Sequence, residues 1–155
     1  LHKKKTHLNT KLKIVGEAMF LSKGIQLAYD TNEFHNDIIF TGRVSDKEMN
    51  YIVGSALAMT YVPLFEGFGI PILEAFACNI PVITSNCTSM PEVAGDAALL
   101  CNPEDTQSIA DAMTKLATDK ELQTSLLEKE KIQIQKFSWD KTAERLWESI
   151  QKAIQ

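Results

Sequence analysis

Two glutamates eight positions apart, Glu66 and Glu74, bracket the run Gly67-Phe68-Gly69 in the stretch EGFGIPILEAFACNIPVITSN, residues 66–86. Acids near the start of a helix can complement its dipole, or they can point at something bound there. The glycines lack Cβ atoms, so the chain can turn sharply at 67–69 and let a ligand approach the backbone amides. Those amides, with the first turn of the helix that follows, make an anion site fit for a phosphate. Pro71 suits that first turn, where its missing N–H costs little. A carboxylate beside such a site repels a bare phosphate but accepts hydrogen bonds from sugar hydroxyls. Two glutamates flanking a phosphate cradle therefore describe a ligand with phosphate in its middle and a sugar at each end, as in a nucleotide-diphosphate sugar. The same residues also read as a tight turn followed by a solvated helix glutamate, and the spacing alone does not separate the two.

The elements that must hold this loop alternate between strand and helix. KLKIVG (11–16), DIIFTG (37–42), AMTYV (58–62), PVITS (81–85) and AALLCN (97–102) are short and apolar, as buried strands are. Helical spacing occupies 18–32, with Phe20, Ile25, Leu27 and Ala28 on its apolar face. Ser45 with Glu48 three positions on predicts a capping box opening a helix over 45–57. Further helices are predicted at about 70–78, at 89–96, at 105–118 behind Asp105, at 119–137 and at 138–154 behind Ser138. Asn79 reads as the left-handed residue that ends the helix at 70–78. Trp139, Leu146, Trp147 and Ile150 form a helical stripe whose default reading is core packing; in an excised domain part of it would instead be exposed and favour self-association. Apolar strands separated by helices imply an α/β domain with a Rossmann-like parallel sheet covered on both faces. Such sheets bind ligands at the carboxyl ends of their strands, where the Glu66 loop lies. Neither an internal repeat nor a linker is visible, so 1–155 reads as a single domain.

The totals narrow the partners. The chain has 155 residues, 45% hydrophobic and 23% charged, enough for one core. Its net charge of −4 and pI near 5.4 argue against a backbone-reading nucleic-acid binder. Lys3-Lys4-Lys5 is a short basic run that reads as a solvated helix end. Cys78, Cys87 and Cys101 form no CxxC and read as buried reduced thiols, which suggests a cytoplasmic protein. His2, His7 and His35 lie outside any metal-ligand spacing and read as surface residues. Neither a membrane-length apolar run nor a signal-peptide pattern occurs. The chain starts at Leu1 and its first residues read like the end of a helix, so an excised domain is the expectation.

PLFEGFGIPILEAFACNIPVITSNCTSMPEVAGDAALLCNPED closely resembles the C-terminal, donor-binding domain of family 4 (group 1) glycosyltransferases of GT-B fold. LKIVG, IIFTGRVSDKEM and FSWDKTAERLW fall in the family's order, so the resemblance runs from about Lys11 to the end. It implies that Glu66 binds hydroxyls of the transferred sugar near the reacting centre. Gly67, Phe68 and Gly69 would offer amides to that sugar and the diphosphate, continued by the amides of Ile70 and Ile72. Glu74 would hold the ribose, and Arg43-Val44 would contact the base. The implied reaction is transfer of a hexose, of mannose or glucose type, with retention of configuration. The donor would be a GDP-, UDP- or ADP-sugar, with no metal or other cofactor, and the acceptor a glycan or lipid-linked molecule in polysaccharide biosynthesis. The family's upstream Arg/Lys phosphate clamp, its first strand–helix unit and its N-terminal acceptor domain are not in this chain, so the piece alone should be silent. The resemblance leaves room for peripheral membrane association of the full-length protein. Competing readings are a nucleotide-binding or regulatory module without transfer chemistry, and a GT-B epimerase or phosphorylase. A dehydrogenase would need a GxGxxG after a strand, which is absent.

Overall fold

The computed structural model describes residues 1–17 and 23–154. In chain order these form α1 (His2–Thr6), β1 (Leu12–Val15), α2 (Lys23–Asp30), β2 (Ile38–Gly42), α3 (Asp46–Gly54), β3 (Met59–Tyr61), α4 (Ile70–Ala77), β4 (Val82–Ser85), α5 (Met90–Ala94), β5 (Ala98–Cys101), α6 (Thr106–Thr118), α7 (Lys120–Gln133) and α8 (Trp139–Ala153). Every strand pairing among them is parallel. The helix predicted over 18–32 is α2 in its second half, while residues 18–22, Phe20 among them, lie outside the described residues.

The starts and stops have local causes. The Ser45 hydroxyl accepts from the Glu48 amide while Glu48 accepts from the Ser45 amide, so α3 opens on the predicted capping box. Asp105, Asp119 and Ser138 each accept a hydrogen bond from an amide in the first turn of α6, α7 and α8. Asn79 sits at φ 58°, and α4 closes with Ile80 N–H donating to Ala75 O and Asn79 N–H to Phe76 O. That is a Schellman motif with Asn in the place glycine usually takes.

The core lies on the two faces of β4, whose four residues are all buried. Val82 points toward Ile72, Ala75, Phe76, Met90, Val93 and Ala94 of α4 and α5. Ile83, on the opposite face, meets Cys101 and Ala112, Leu116 and Leu126 of α6 and α7. The two-residue alternation of a strand thus feeds two cores at once. Complete burial of side chains of this size is worth about 1.5–3 kcal/mol each.

The strands do not form one sheet. β1 pairs with β2, and β3-β4-β5 form a separate three-stranded sheet. A parallel partner must lie within about 5 Å in the hydrogen-bonding direction, and no described segment offers one to the remaining edge of β1 or of β3. The expected cover on both faces holds for β4 and fails for β1, where Leu12 and Ile14 remain exposed. The stripe of α8 also corrects its default reading. Trp139 is 81% exposed and Leu146 and Trp147 60% each, because no described element packs on that face.

Smaller corrections follow from packing. Lys3 bonds to Asp37 and to the Thr10 carbonyl, and Lys4 to Glu33, so the basic run ties α1 to the turn before β2 instead of being wholly solvated. His2 is half-buried with Nδ1 3.1 Å from Thr114 Oγ1, and His35 is half-buried too. Of the three free cysteines Cys101 alone is buried, and burial pushes its thiol pKa up. None of the described helices is long and apolar enough to cross a membrane.

Candidate functional site

Tyr61 closes β3, and the chain then runs through Pro63, Leu64 and Phe65 to Glu66 before entering α4 at Ile70. The loop therefore leaves the carboxyl end of a strand that borders buried β4, where an α/β sheet presents its ligand crevice. Glu66 is half-buried and Gly67 is exposed, whereas Gly69 is buried.

The two glycines answer different demands. Gly69 has φ +106°, and a Cβ there would stand 2.7 Å from Met90 Cε and 3.3 Å from its Sδ. Backbone and packing both require glycine at 69. At Gly67 an added Cβ would meet nothing within 4 Å, so the fold itself gives no reason for glycine there.

The amides of this segment are open. Among the described residues those of Gly67, Phe68 and Gly69 donate to no protein acceptor. Ile70 begins the helix and so has no intrahelical acceptor. Pro71 has no N–H to give, and the Ile72 amide donates to the Gly69 carbonyl at 3.0 Å. The cradle predicted from 67 to 72 thus reduces to four amides, 67 to 70. Ile72 contributes a fully buried side chain to the core beneath them.

Three contacts that the sequence reading missed hold Glu66 and its loop. Tyr61 Oη donates to Glu66 Oε1 at 2.5 Å. Ser89 Oγ donates to the Glu66 carbonyl at 2.9 Å. Cys87 Sγ lies 3.5 Å from the Leu64 carbonyl and 3.8 Å from that of Pro63. Burial, the Glu66 hydrogen bond and the Glu66 charge push the Tyr61 phenol up to about 12, so it stays a donor at physiological pH. Ser89 stands at the N-cap of α5 without capping it, its hydroxyl being turned toward Glu66 instead. Thr88, just before it, has φ 53°, a strained setting for a β-branched residue. A tyrosine at a strand end five positions before a glutamate was the one signal available for these contacts, and it is a common spacing.

The remaining candidates are less concentrated. Glu74 is exposed on the second turn of α4. Phe68 meets Phe137 edge to face at 5.8 Å, which links the loop to the segment before α8. Arg43 is exposed and Val44 half-buried after β2, in the other sheet. The structure gathers Glu66, the four amides and Glu74 in one strand–loop–helix unit, while 43–44 follow a strand of the other sheet. Among the described residues no group of three or more His, Cys, Asp or Glu could hold a metal ion.

The family model described as "Glycosyl transferases group 1" matches residues 1–133. The O-antigen chain mannosyltransferase B of Escherichia coli is 37% identical over 103 residues, covering 66% of this chain and 27% of that protein. The serotype-specific mannosyltransferase WbdA of Escherichia coli is 33% identical over 135 residues, covering 87% of this chain and 17% of its own length. Among solved structures, Anabaena Alr3699/HepE in complex with UDP and glucose superposes with a TM-score of 0.78 at 19% identity, over 91% of this chain and 40% of HepE. The chain thus spans well under half the length of each of these proteins.

Proposed function

The chain belongs to the group 1 glycosyl transferases, and from that premise we propose that it is the nucleotide-sugar-binding half of a retaining hexosyltransferase of GT-B fold. The observation that carries this reading is the run of four open amides, Gly67 to Ile70, beginning beside a carboxylate held in place. Open amides at the start of a helix suit the diphosphate, where charge collects as the glycosidic bond breaks. Glu66 Oε2, which accepts nothing among the described residues, suits a hydroxyl of the transferred sugar. Glu74, a turn further along α4, suits the ribose, and Arg43-Val44 the base. Gly67, whose side of the loop is open space, lets the ligand reach the backbone. No residue in this arrangement needs a metal or other cofactor for these contacts.

Mannose is the favoured sugar, supported by the names of the two Escherichia coli relatives, and glucose the next choice. The base stays among guanine, uracil and adenine; the UDP in the HepE complex supports a nucleoside diphosphate in general. The open edges of β1 and β3, two of the four that these sheets leave, support the view that a further strand–helix unit, absent from these 155 residues, lies between β1 and β3 in the whole enzyme. An acceptor domain would complete the cleft, and transfer would take place at the cytoplasmic side of glycan assembly. By itself the chain should bind donor weakly and transfer nothing.

The test is an amide-shift NMR titration of the chain with GDP, UDP, ADP and the corresponding mannose and glucose nucleotides. Shifts centred on Gly67 to Glu74, with one base preferred, are expected at millimolar ligand. Shifts elsewhere, or none there with every nucleotide, would remove the reading.

A further inference from the structure

We propose that Tyr61 is a positioning residue for Glu66, holding one carboxylate oxygen so that the other faces the sugar; the inference rests on the nucleotide-sugar reading above. Tyr61 is the last residue of β3, and its ring packs half-buried against the core around Ile72 and Val82. The phenol is therefore anchored to the rigid sheet, while Glu66 is on a loop. Its hydroxyl reaches Glu66 Oε1 at 2.5 Å, a length expected where an O–H meets a charged oxygen. A carboxylate on a loop would otherwise sample several rotamers and lose freedom on binding. Here Oε1 is occupied and Oε2 accepts nothing among the described residues, so one oxygen, with both its lone pairs, is presented.

The backbone of Glu66 is fixed independently. Ser89 holds its carbonyl at 2.9 Å, and Cys87 lies against the carbonyls at 63 and 64. Those contacts come from the loop after β4. The position of Glu66 is thus set from two neighbouring strands, the main chain from one and the carboxylate from the other. The phenol remains a donor throughout the neutral range, because burial and the adjacent carboxylate push its ionisation to about 12.

The variant Tyr61→Phe keeps the ring and removes the one oxygen. Two measurements on the chain decide the proposal. The first reads the Glu66 χ1 and χ2 rotamers from three-bond NMR couplings. The clamp predicts one rotamer in the parent and averaging over several in Tyr61→Phe, with the melting temperature little changed. The same single rotamer in both would overturn it. The second is the titration with GDP-mannose and UDP-glucose as probes. Tyr61→Phe should weaken binding about tenfold, Glu66→Ala at least as much, and Ser89→Ala less than either. Binding that Tyr61→Phe leaves unchanged while Glu66→Ala abolishes it would overturn the clamp alone. Failure of the unsubstituted chain to bind either probe would remove the nucleotide-sugar reading, and the clamp would fall with it.

Discussion

Gly67 and Gly69 stand two residues apart, and the fold constrains only one of them. Alanine at 69 would force φ +106° on an L-residue and drive its Cβ into Met90. Gly69→Ala should cost about 2–3 kcal/mol in urea unfolding. Gly67→Ala meets open space, so its stability should stay within about 0.5 kcal/mol of the parent, yet nucleotide-sugar shifts should weaken sharply. Equal destabilisation by both substitutions would mean that 67 is structural too. The sequence makes both glycines legible as turn residues. It cannot separate them, because the separating atom is on Met90, more than 20 residues downstream in another helix. Glu130 poses the opposite problem: a buried side chain with neither oxygen partnered among the described residues. Burial raises its pKa from 4.5 to about 8. The folded chain then holds a proton that the unfolded chain releases, so stability falls as pH rises between those two values and is level above them. Glu130→Gln should flatten that slope and stabilise the chain near pH 8 by something on the order of 3 kcal/mol, read from melts at pH 5, 6.5 and 8. Parallel curves for parent and variant would contradict this. Nothing in the surrounding helical pattern marked Glu130, because charged residues are common on both sides of it.

At the scale of elements, what the sequence made legible is what neighbours within four residues decide. Ser45 with Glu48, Asp105, Asp119 and Ser138 all cap as their types dictate, and Asn79 turns α4 off at φ 58°. The last of these carries a prediction. Asn79→Ala keeps a Cβ in the left-handed region but removes the short polar side chain that lets asparagine tolerate it, at a cost of about 1 kcal/mol. Asn79→Gly should be neutral or slightly stabilising, so the pair reads backbone strain separately from any lost side-chain contact. A thermal melt of the two variants suffices, and a glycine variant as unstable as the alanine one would place the effect in the asparagine side chain. Contacts between elements were not legible in this way. The hydroxyl of Ser89 could cap its own helix or reach the Glu66 carbonyl, and only the juxtaposition of the β3 and β4 loops decides for the latter. The contacts that Tyr61, Ser89 and Cys87 make with the Glu66 loop are illegible in the sequence for that reason. The stripe on α8 erred in the other direction: periodicity reports an apolar face, and it says nothing about whether a partner surface is present.

The molecule as a whole has a gradient of order that follows from where its sheets stop. β4 is flanked by two strands and covered by helices on both faces, and all four of its residues are buried. β1 has one partner and largely exposed side chains, with Phe40 on β2 40% exposed as well. Apolar content does not rank these strands, since LKIV has three apolar residues and VITS two, yet VITS is the buried one because of what lies beside it. Protection against amide exchange should follow the difference, because local opening costs least where little apolar surface is covered. Amides of Ile83 and Thr84 should exchange only through global unfolding. Those of Ile14 and Phe40 should exchange through opening of the two-stranded sheet, on the order of 100-fold faster or more, given a gap of about 3 kcal/mol. The strand–helix unit proposed between β1 and β3 sharpens the test. A chain extended upstream to include it should slow exchange at β1 toward the level of β4 while leaving Ile83 nearly unchanged, because one inserted strand would pair both open edges. Uniform protection in the present chain would mean that the two-stranded sheet is already stabilised by contacts other than strand pairing. Low protection at β1 that persists in the extended chain would place the added strand elsewhere.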